Sequence, residues 1–375
     1  MRLYLSLWMV VLLSAGGCSS KAVTEPIWIG QLLPQTDANR GLSQHARQGV
    51  EQAIAETQDA EQPIAGRSCA VLHVEVREDV AAVQAETTRL VTVNKAVALL
   101  ADFDAALTEQ LIRASRSYGV PVIVPGELPA PAESDNVVSL GVPPALRGRL
   151  LARYASVELK CQRAAVLTDS RRPVAAAFAG AFLKAWPRQH SEASEEWTFT
   201  TAAERDERIN RIIQAAPAVI VLSCSLTDFR LLRPRLAAAL PSVPLIYGGE
   251  DAGTAALQAE LETRPDVYLA TAFSPEHLSE RGRAFARRYE ERFHEQPDLY
   301  AAHSYDAARL VFESLQRAGT ASREALGKEF ARLEQFDSVT GPVRWKDRQP
   351  HRRVFLIALK HNRPSVVSTI EAEEN

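Results

Sequence analysis

A chain of 375 residues, 46% of them hydrophobic, is long enough to bury a large core, and its length favours two domains over one. The formal net charge of −3, with no basic block, argues against a nucleic-acid partner. Only seven of the 43 basic residues are lysine, leaving 36 arginines, a skew that reflects genome composition before anion recognition.

In chain order, the first 18 residues differ in kind from the rest. Arg2, an uncharged apolar run from Leu3 to Leu13, and the small residues of SAGGCSS describe an export signal that is too short to span a bilayer. Ala15, Gly16 and Gly17 directly before Cys18 resemble a bacterial lipobox. Residues 1–17 are therefore expected to be removed and Cys18 to be lipidated as the mature N-terminus. Ala15 stands where that pattern usually has Leu, and Ser19 leaves the inner or the outer membrane open as destination. The mature balance is 42 basic against 46 acidic residues, a net −4.

From Ile27 short apolar runs alternate with longer amphipathic ones. The strand candidates are IWIGQLL from Ile27, CAVLHVEV from Cys69, AVALLA from Ala96, VPVIVP from Val120, RAAVLTD from Arg163, AVIVLSC from Ala218, VPLIYGG from Val243 and DVYLATAF from Asp266. Between them apolar residues recur three and four apart, as at Ala46, Val50, Ala53 and Ile54, or Leu107, Leu111 and Ala114. Strict alternation of strand and helix predicts parallel sheets with helices on both faces. The Pro- and Gly-rich stretch 126–148 reads as a break between two such runs. The chain closes with three helical segments from Ser279 to Gln335 and two late strands, GPVRW and VFLIALK. Cys69, Cys161 and Cys224 are odd in number and lack CxxC spacing, so they are expected to be buried thiols, the last two at opposite ends of a sheet.

The entry segment IWIGQLLPQTDANRGLSQHARQGVEQAIAE, with Leu33-Pro34, Arg47, Gly49 and Val50, resembles the start of a type I periplasmic ligand-binding protein of the leucine/isoleucine/valine-binding kind. Gly119-Val120-Pro121, Tyr305-Asp306-Ala307 and Thr340-Gly341-Pro342 stand where that family has the same residues, and the resemblance covers roughly residues 26–365. It implies an α/β fold of two Rossmann-like lobes with parallel sheets, joined by three hinge crossings near Gly141, Phe273 and Ser338. Lobe 1 would hold residues 24–141 plus 274–337, and lobe 2 residues 142–273 plus 338–370. It also implies closure on a small-molecule ligand and docking on an ABC transporter permease, in the periplasm, with the chain anchored to the membrane through the lipid at Cys18. No cofactor is implied.

Ligands of open parallel sheets bind beyond the carboxyl ends of the strands, which turns the strands into a list of loops. In the first loop Gln35 and Thr36 are contact candidates, while Leu42 stands where the family often has an aromatic residue. After the third strand, relatives grip a carboxylate with Ser residues at a helix start; here stand Asp102, Phe103, Asp104 and Ala105. Asp104 either caps the next helix or lines the site, and in both cases an acid at that helix start disfavours a bound carboxylate. Gly126 and Glu127 replace Ser and Thr of the next loop. Asp169 and Ser170 keep an acidic start, but Arg171, Arg172 and Pro173 replace an aromatic. Glu250 or Asp251 could accept from a ligand amino group. The acids Asp104, Glu127, Glu250 and Asp251 together suit a cationic or polyhydroxyl ligand better than an ordinary branched-chain amino acid.

No G-x-S-x-G, H-E-x-x-H, G-x-x-x-x-G-K-[ST] or G-x-G-x-x-G motif occurs, so no enzyme activity, catalytic residue or metal ligand is expected. Of the scattered histidines only His45 and His303 fall near the predicted cleft, and for both a solvent or packing role is the commoner one. The competing reading is a ligand-poor interaction or sensory lipoprotein of the same fold that regulates a cell-envelope partner.

Overall fold

A computed structural model describes residues 25–35, 40–59, 63–101, 105–187, 194–249, 253, 257, 265–361 and 363–371. Its first run of elements is β1 (Ile27–Pro34), α1 (Arg40–Asp59), β2 (Cys69–Val76), α2 (Val80–Thr92), β3 (Ala98–Ala101), α3 (Ala105–Arg116), β4 (Val122–Val124) and β5 (Val137–Ser139). The second is α4 (Pro144–Val157), β6 (Ala164–Asp169), α5 (Pro173–Ala185), β7 (Ser194–Phe199), α6 (Ala202–Ala215), β8 (Val219–Ser223), α7 (Leu226–Ala239), β9 (Leu245–Tyr247) and β10 (Val267–Thr271). The chain closes with α8 (Glu280–Phe293), α9 (Leu299–Ala318), α10 (Arg323–Ala331), β11 (Gln335–Ser338), β12 (Gly341–Lys346), β13 (Gln349–Arg352), β14 (Val354–Lys360) and β15 (Arg363–Ile370).

The first sheet is parallel throughout, in the order β2-β1-β3-β4-β5. The second runs β15-β14-β10-β9-β8-β6-β7, with β6 to β10 parallel and the late strands β14 and β15 added antiparallel at one edge. Counted from β6, its parallel part repeats the strand order of the first sheet. Each sheet therefore has one point where the winding reverses, between β1 and β3 and between β6 and β8, and such switch points are where doubly wound sheets bind ligands.

Inner strands such as β3, ALLA, and β8, VIVLS, are buried on both faces and almost wholly apolar. The polar edge strand β7, SEEWTF, lacks that signature, as does β15, and neither stands out in the sequence. The stretch 126–148, expected to be punctuation, instead contains β5 and the start of α4. Val137–Ser139 is fully buried but three residues long, too short to show a period against its Pro-rich flanks. GPVRW forms β12, which pairs with β11 and β13 in a small antiparallel sheet of its own.

Glycine sets the closest helix approach in each half. A Cβ on Gly49 of α1 would lie 2.1 Å from the Ala301 carbonyl of α9, and one on Gly148 of α4 would lie 2.4 Å from the Phe178 carbonyl of α5. The tyrosines of the late helices reinforce the first contact: Tyr289 donates to Gln48 and Tyr305 to Glu56, each at 2.6 Å. Helices that follow the second sheet in sequence thus pack on α1, beside the first.

The chain passes between the sheets after β5, after β10 and from β11 to β14. One apolar cluster spans these passages, from Ile27 and Leu140 through Phe273 to Val354. Separate clusters line the outer faces, around Leu90 and Leu111 in one half and Ile209 and Leu236 in the other. The result is two lobes sharing a continuous core at the hinge.

Candidate functional site

Among the described residues, two positions beyond the carboxyl ends of strands touch the opposite lobe. Gly253, beyond β9, packs on Leu299 at the start of α9, where an added Cβ would lie 3.1 Å from the leucine Cβ. Glu127, beyond β4, pairs with Arg147 of α4 at 2.8 Å, both side chains almost wholly buried. The Arg147 guanidinium also sits 5.8 Å over the Phe178 ring of α5. At the adjoining passage the Gly141 amide donates to Gly126 at 2.9 Å, an approach that leaves no room for a side chain on Gly141.

At the switch point of the second sheet, Asp169 ends β6 with 1% exposure. It accepts from the Arg171 amide at 3.1 Å, from Nε at 2.9 Å and from Nη2 at 2.8 Å. Arg171 itself is 56% exposed, and the bond to Asp169 pushes its already high pKa further up. Ser170 is turned away: its amide and hydroxyl both donate to the Phe199 carbonyl. Beside it, Ser225 caps α7 through the Asp228 amide at 3.0 Å, and Asp228 accepts from Arg205 at 2.6 Å. Cys224 lies beneath, fully buried, its thiol pushed well above the ordinary range by burial and then by Asp228 and Asp169.

A second polar group holds the hinge. Both Asp306 carboxylate oxygens accept from the Val339 amide, at 3.1 and 3.2 Å, and Arg309 donates to Asp306 at 3.2 Å and to the Asp337 carbonyl at 3.1 Å. Arg352, 2% exposed, donates to the Leu140 carbonyl and to Thr340, and lies 3.4 Å from both Ser338 and His303. One guanidinium thereby ties the first passage to the third. Burial and then the Arg352 charge push His303 well below its ordinary pKa, so its Nε2 accepts from Arg352 as a neutral ring. Trp345 of β12 adds a bond to the Ser139 carbonyl at 3.1 Å. The sequence blocks Tyr305-Asp306-Ala307 and Thr340-Gly341-Pro342, distant along the chain, meet here.

Of the expected ligand residues, Gln35 is exposed at the end of β1, its amide held by the Val76 carbonyl at 2.8 Å. Glu127, Asp169, Ser170 and Arg171 are placed as described, the two acids already engaged by arginines. Ala105 opens α3, although its side chain is not described; Cys18, Thr36, Asp102, Asp104, Glu250 and Asp251 lie outside the described residues. Arg147 and Arg352 were missed, because nothing in the local sequence marks either arginine as buried. His45 lies in α1, bonded to Asp298 at 2.7 Å, which raises its pKa. Among the described residues no group of three or more His, Cys, Asp or Glu is placed to hold a metal, and no helix is long and apolar enough to cross a membrane. Cys69, Cys161 and Cys224 are free and buried.

Two doubly wound lobes with three passages between them define a type I periplasmic binding fold. The chain belongs to the periplasmic binding protein family, whose sequence profile matches residues 26–364. A leucine-binding protein from Thermotoga maritima is similar in structure, with a TM-score of 0.81 at 15% identity over 93% of this chain and 100% of its own. A branched-chain amino acid substrate-binding protein from Streptococcus pneumoniae, solved with isoleucine, gives 0.80 at 19% identity over 92% and 100%. A solute-binding protein from R. palustris, solved with benzoate, gives 0.73 at 19% over 92% and 96%. No curated protein sequence matches the chain.

Proposed function

We propose that the protein is an extracytoplasmic solute-binding lipoprotein that captures a small polar ligand between its lobes and delivers it to an ABC importer. In this reading lobe 1 is residues 24–141 plus 274–337 and lobe 2 is 142–273 plus 338–370, with Cys18 as the lipidated N-terminus. The observation that carries it is the pair of like-wound sheets whose strand-end loops meet the opposite lobe, at Glu127–Arg147 and Gly253–Leu299. Family membership and the ligands of the similar structures support the same class of role. The site differs from an amino-acid grip: Glu127 follows β4, and Arg171 follows β6. Leucine, isoleucine and valine are therefore not expected to bind at micromolar concentration.

The test is small-angle scattering of the mature chain with and without a metabolite extract, beside calorimetry with the three amino acids. Ligand-dependent shrinkage without leucine, isoleucine or valine binding is the expected outcome. Absence of any closure would favour the second reading, a ligand-poor interaction lipoprotein of the cell envelope, to which the pairing of Glu127 with Arg147 and of Asp169 with Arg171 already lends weight. Palmitate labelling that persists in Cys18→Ala would refute the anchor.

A further inference from the structure

We infer that the cleft ligand carries a carboxylate or similar anionic group and that Arg171 receives it from the lobe 2 side, with Asp169 as the positioning residue. This rests on the reading that the cleft binds a small solute. Arg171 follows the carboxyl end of β6, at the switch point between β6 and β8, the place in a doubly wound sheet where ligands are held. Its direction is fixed from inside: Asp169, 1% exposed, takes Nε and Nη2 in a fork and the amide of the same residue as well. A guanidinium gripped on one edge keeps its other edge in a set orientation and loses little freedom when it meets a second planar anion.

That outer edge is what remains available. Arg171 is 56% exposed, and its hydrogen bonds among the described residues all go to Asp169. Arg147 of α4, which meets the loop after β4, is 2% exposed and lies between Glu127 and the Phe178 ring, so it serves the hinge side of the cleft. The described carboxylates Glu127 and Asp169 are each engaged by an arginine, which removes them as receivers of a cationic ligand. The sequence alone, weighing four acids of which Asp104, Glu250 and Asp251 lie outside the described residues, suits a cationic or polyhydroxyl ligand; the geometry at this switch point points to an anion.

Calorimetric titration of the mature chain with benzoate, succinate and inorganic phosphate, against glucose and spermidine, tests this. At least one anionic probe is expected to bind at micromolar level, with affinity falling as salt rises. Arg171→Gln should weaken it tenfold or more and abolish the salt dependence, Arg171→Lys should restore part, and Asp169→Asn should weaken it while Arg171 remains. Urea midpoints and circular dichroism of each variant separate these effects from misfolding. Glucose or spermidine binding equally to wild type and Arg171→Gln would overturn the anion assignment and leave solute capture standing. Failure of all five probes to bind overturns the assignment, and if metabolite extract also produces no closure, the capture reading falls with it.

Discussion

At the hinge, Asp306 is 1% exposed and its partner Arg309 has 9% of its side chain exposed; at the end of β6, Asp169 is equally buried but its partner Arg171 is 56% exposed. The acid is the same in both places, and the difference lies in where the arginine ends. At the hinge the guanidinium continues to the Asp337 carbonyl and to Glu313, and it stacks 4.9 Å over Phe336, so the pair fastens two distant segments. At the lip the arginine belongs to the same turn as its acid and fastens nothing else. A buried carboxylate that anchors only its own neighbour is an arrangement for pointing a charge, whereas one that binds a remote amide is an arrangement for holding a fold.

The largest effect should follow from breaking the hinge pair. Asp306→Ala leaves the buried Val339 amide without its acceptor and takes from Arg309 its buried carboxylate, and removal of one partner from a buried pair costs about 3 kcal/mol. Urea denaturation should show that loss, with Asp306→Asn milder because it keeps an acceptor. Arg309→Met should cost a similar amount. Arg171→Gln should cost about 1 kcal/mol, since its head is half exposed and a glutamine amide can still donate to Asp169. If the two arginine variants destabilise equally, the lip pair is structural and the contrast fails.

His303 sharpens the hinge side through pH. Its folded pKa lies well below 6.5, by burial and the nearby Arg352 charge, while in the unfolded chain it takes up a proton below that value. Below pH 6.5 the unfolded state therefore binds more protons, and stability is lost as pH falls, by up to about 1.4 kcal/mol per pH unit. His45 acts in the opposite sense: its pKa is raised, so its contribution is present below 6.5 and lost as pH rises through the folded value. Because His45 is unchanged in His303→Gln, the difference between wild type and variant from pH 7 to 5 isolates His303. The variant should show the shallower acid loss; identical slopes would mean that the ring is not held neutral against Arg352.

How legible these regions were depends on whether their chemistry was local. The inner strands were readable because apolar runs such as ALLA and VIVL have one physical meaning in an alternating chain. β5 and β7 were not, one for being three residues long and the other for carrying polar residues at a sheet edge. Asp169 and Arg171 were readable as site candidates, being at a strand end, but their bond to each other was not, because position in a turn does not say which side chains meet. The hinge was legible only as two matching sequence blocks. That Asp306 holds the Val339 amide, and that Arg352 reaches the Leu140 carbonyl 212 positions away, depends on tertiary contacts that no local pattern encodes.

The smallest effect should come from the thiol beneath the lip. Cys224 is fully buried at the end of β8, and burial together with Asp228 and Asp169 keeps it protonated; burial also pushes Cys69 up to about 11 and raises Cys161. The thiolate is the reactive form, so all three should resist a maleimide in the folded protein and react in urea. In a soluble chain beginning after Cys18, with Cys69→Ala and Cys161→Ala, slow labelling of Cys224 reports how often the turn from Asp169 to Arg171 and the cap of α7 lift away. A ligand bound to Arg171 stabilises the closed lip and should slow that labelling further. Prompt labelling without denaturant would mean that the turn is loose. Asp169 could then not hold Arg171 in one direction, and the lip would differ from the hinge in order as well as in exposure.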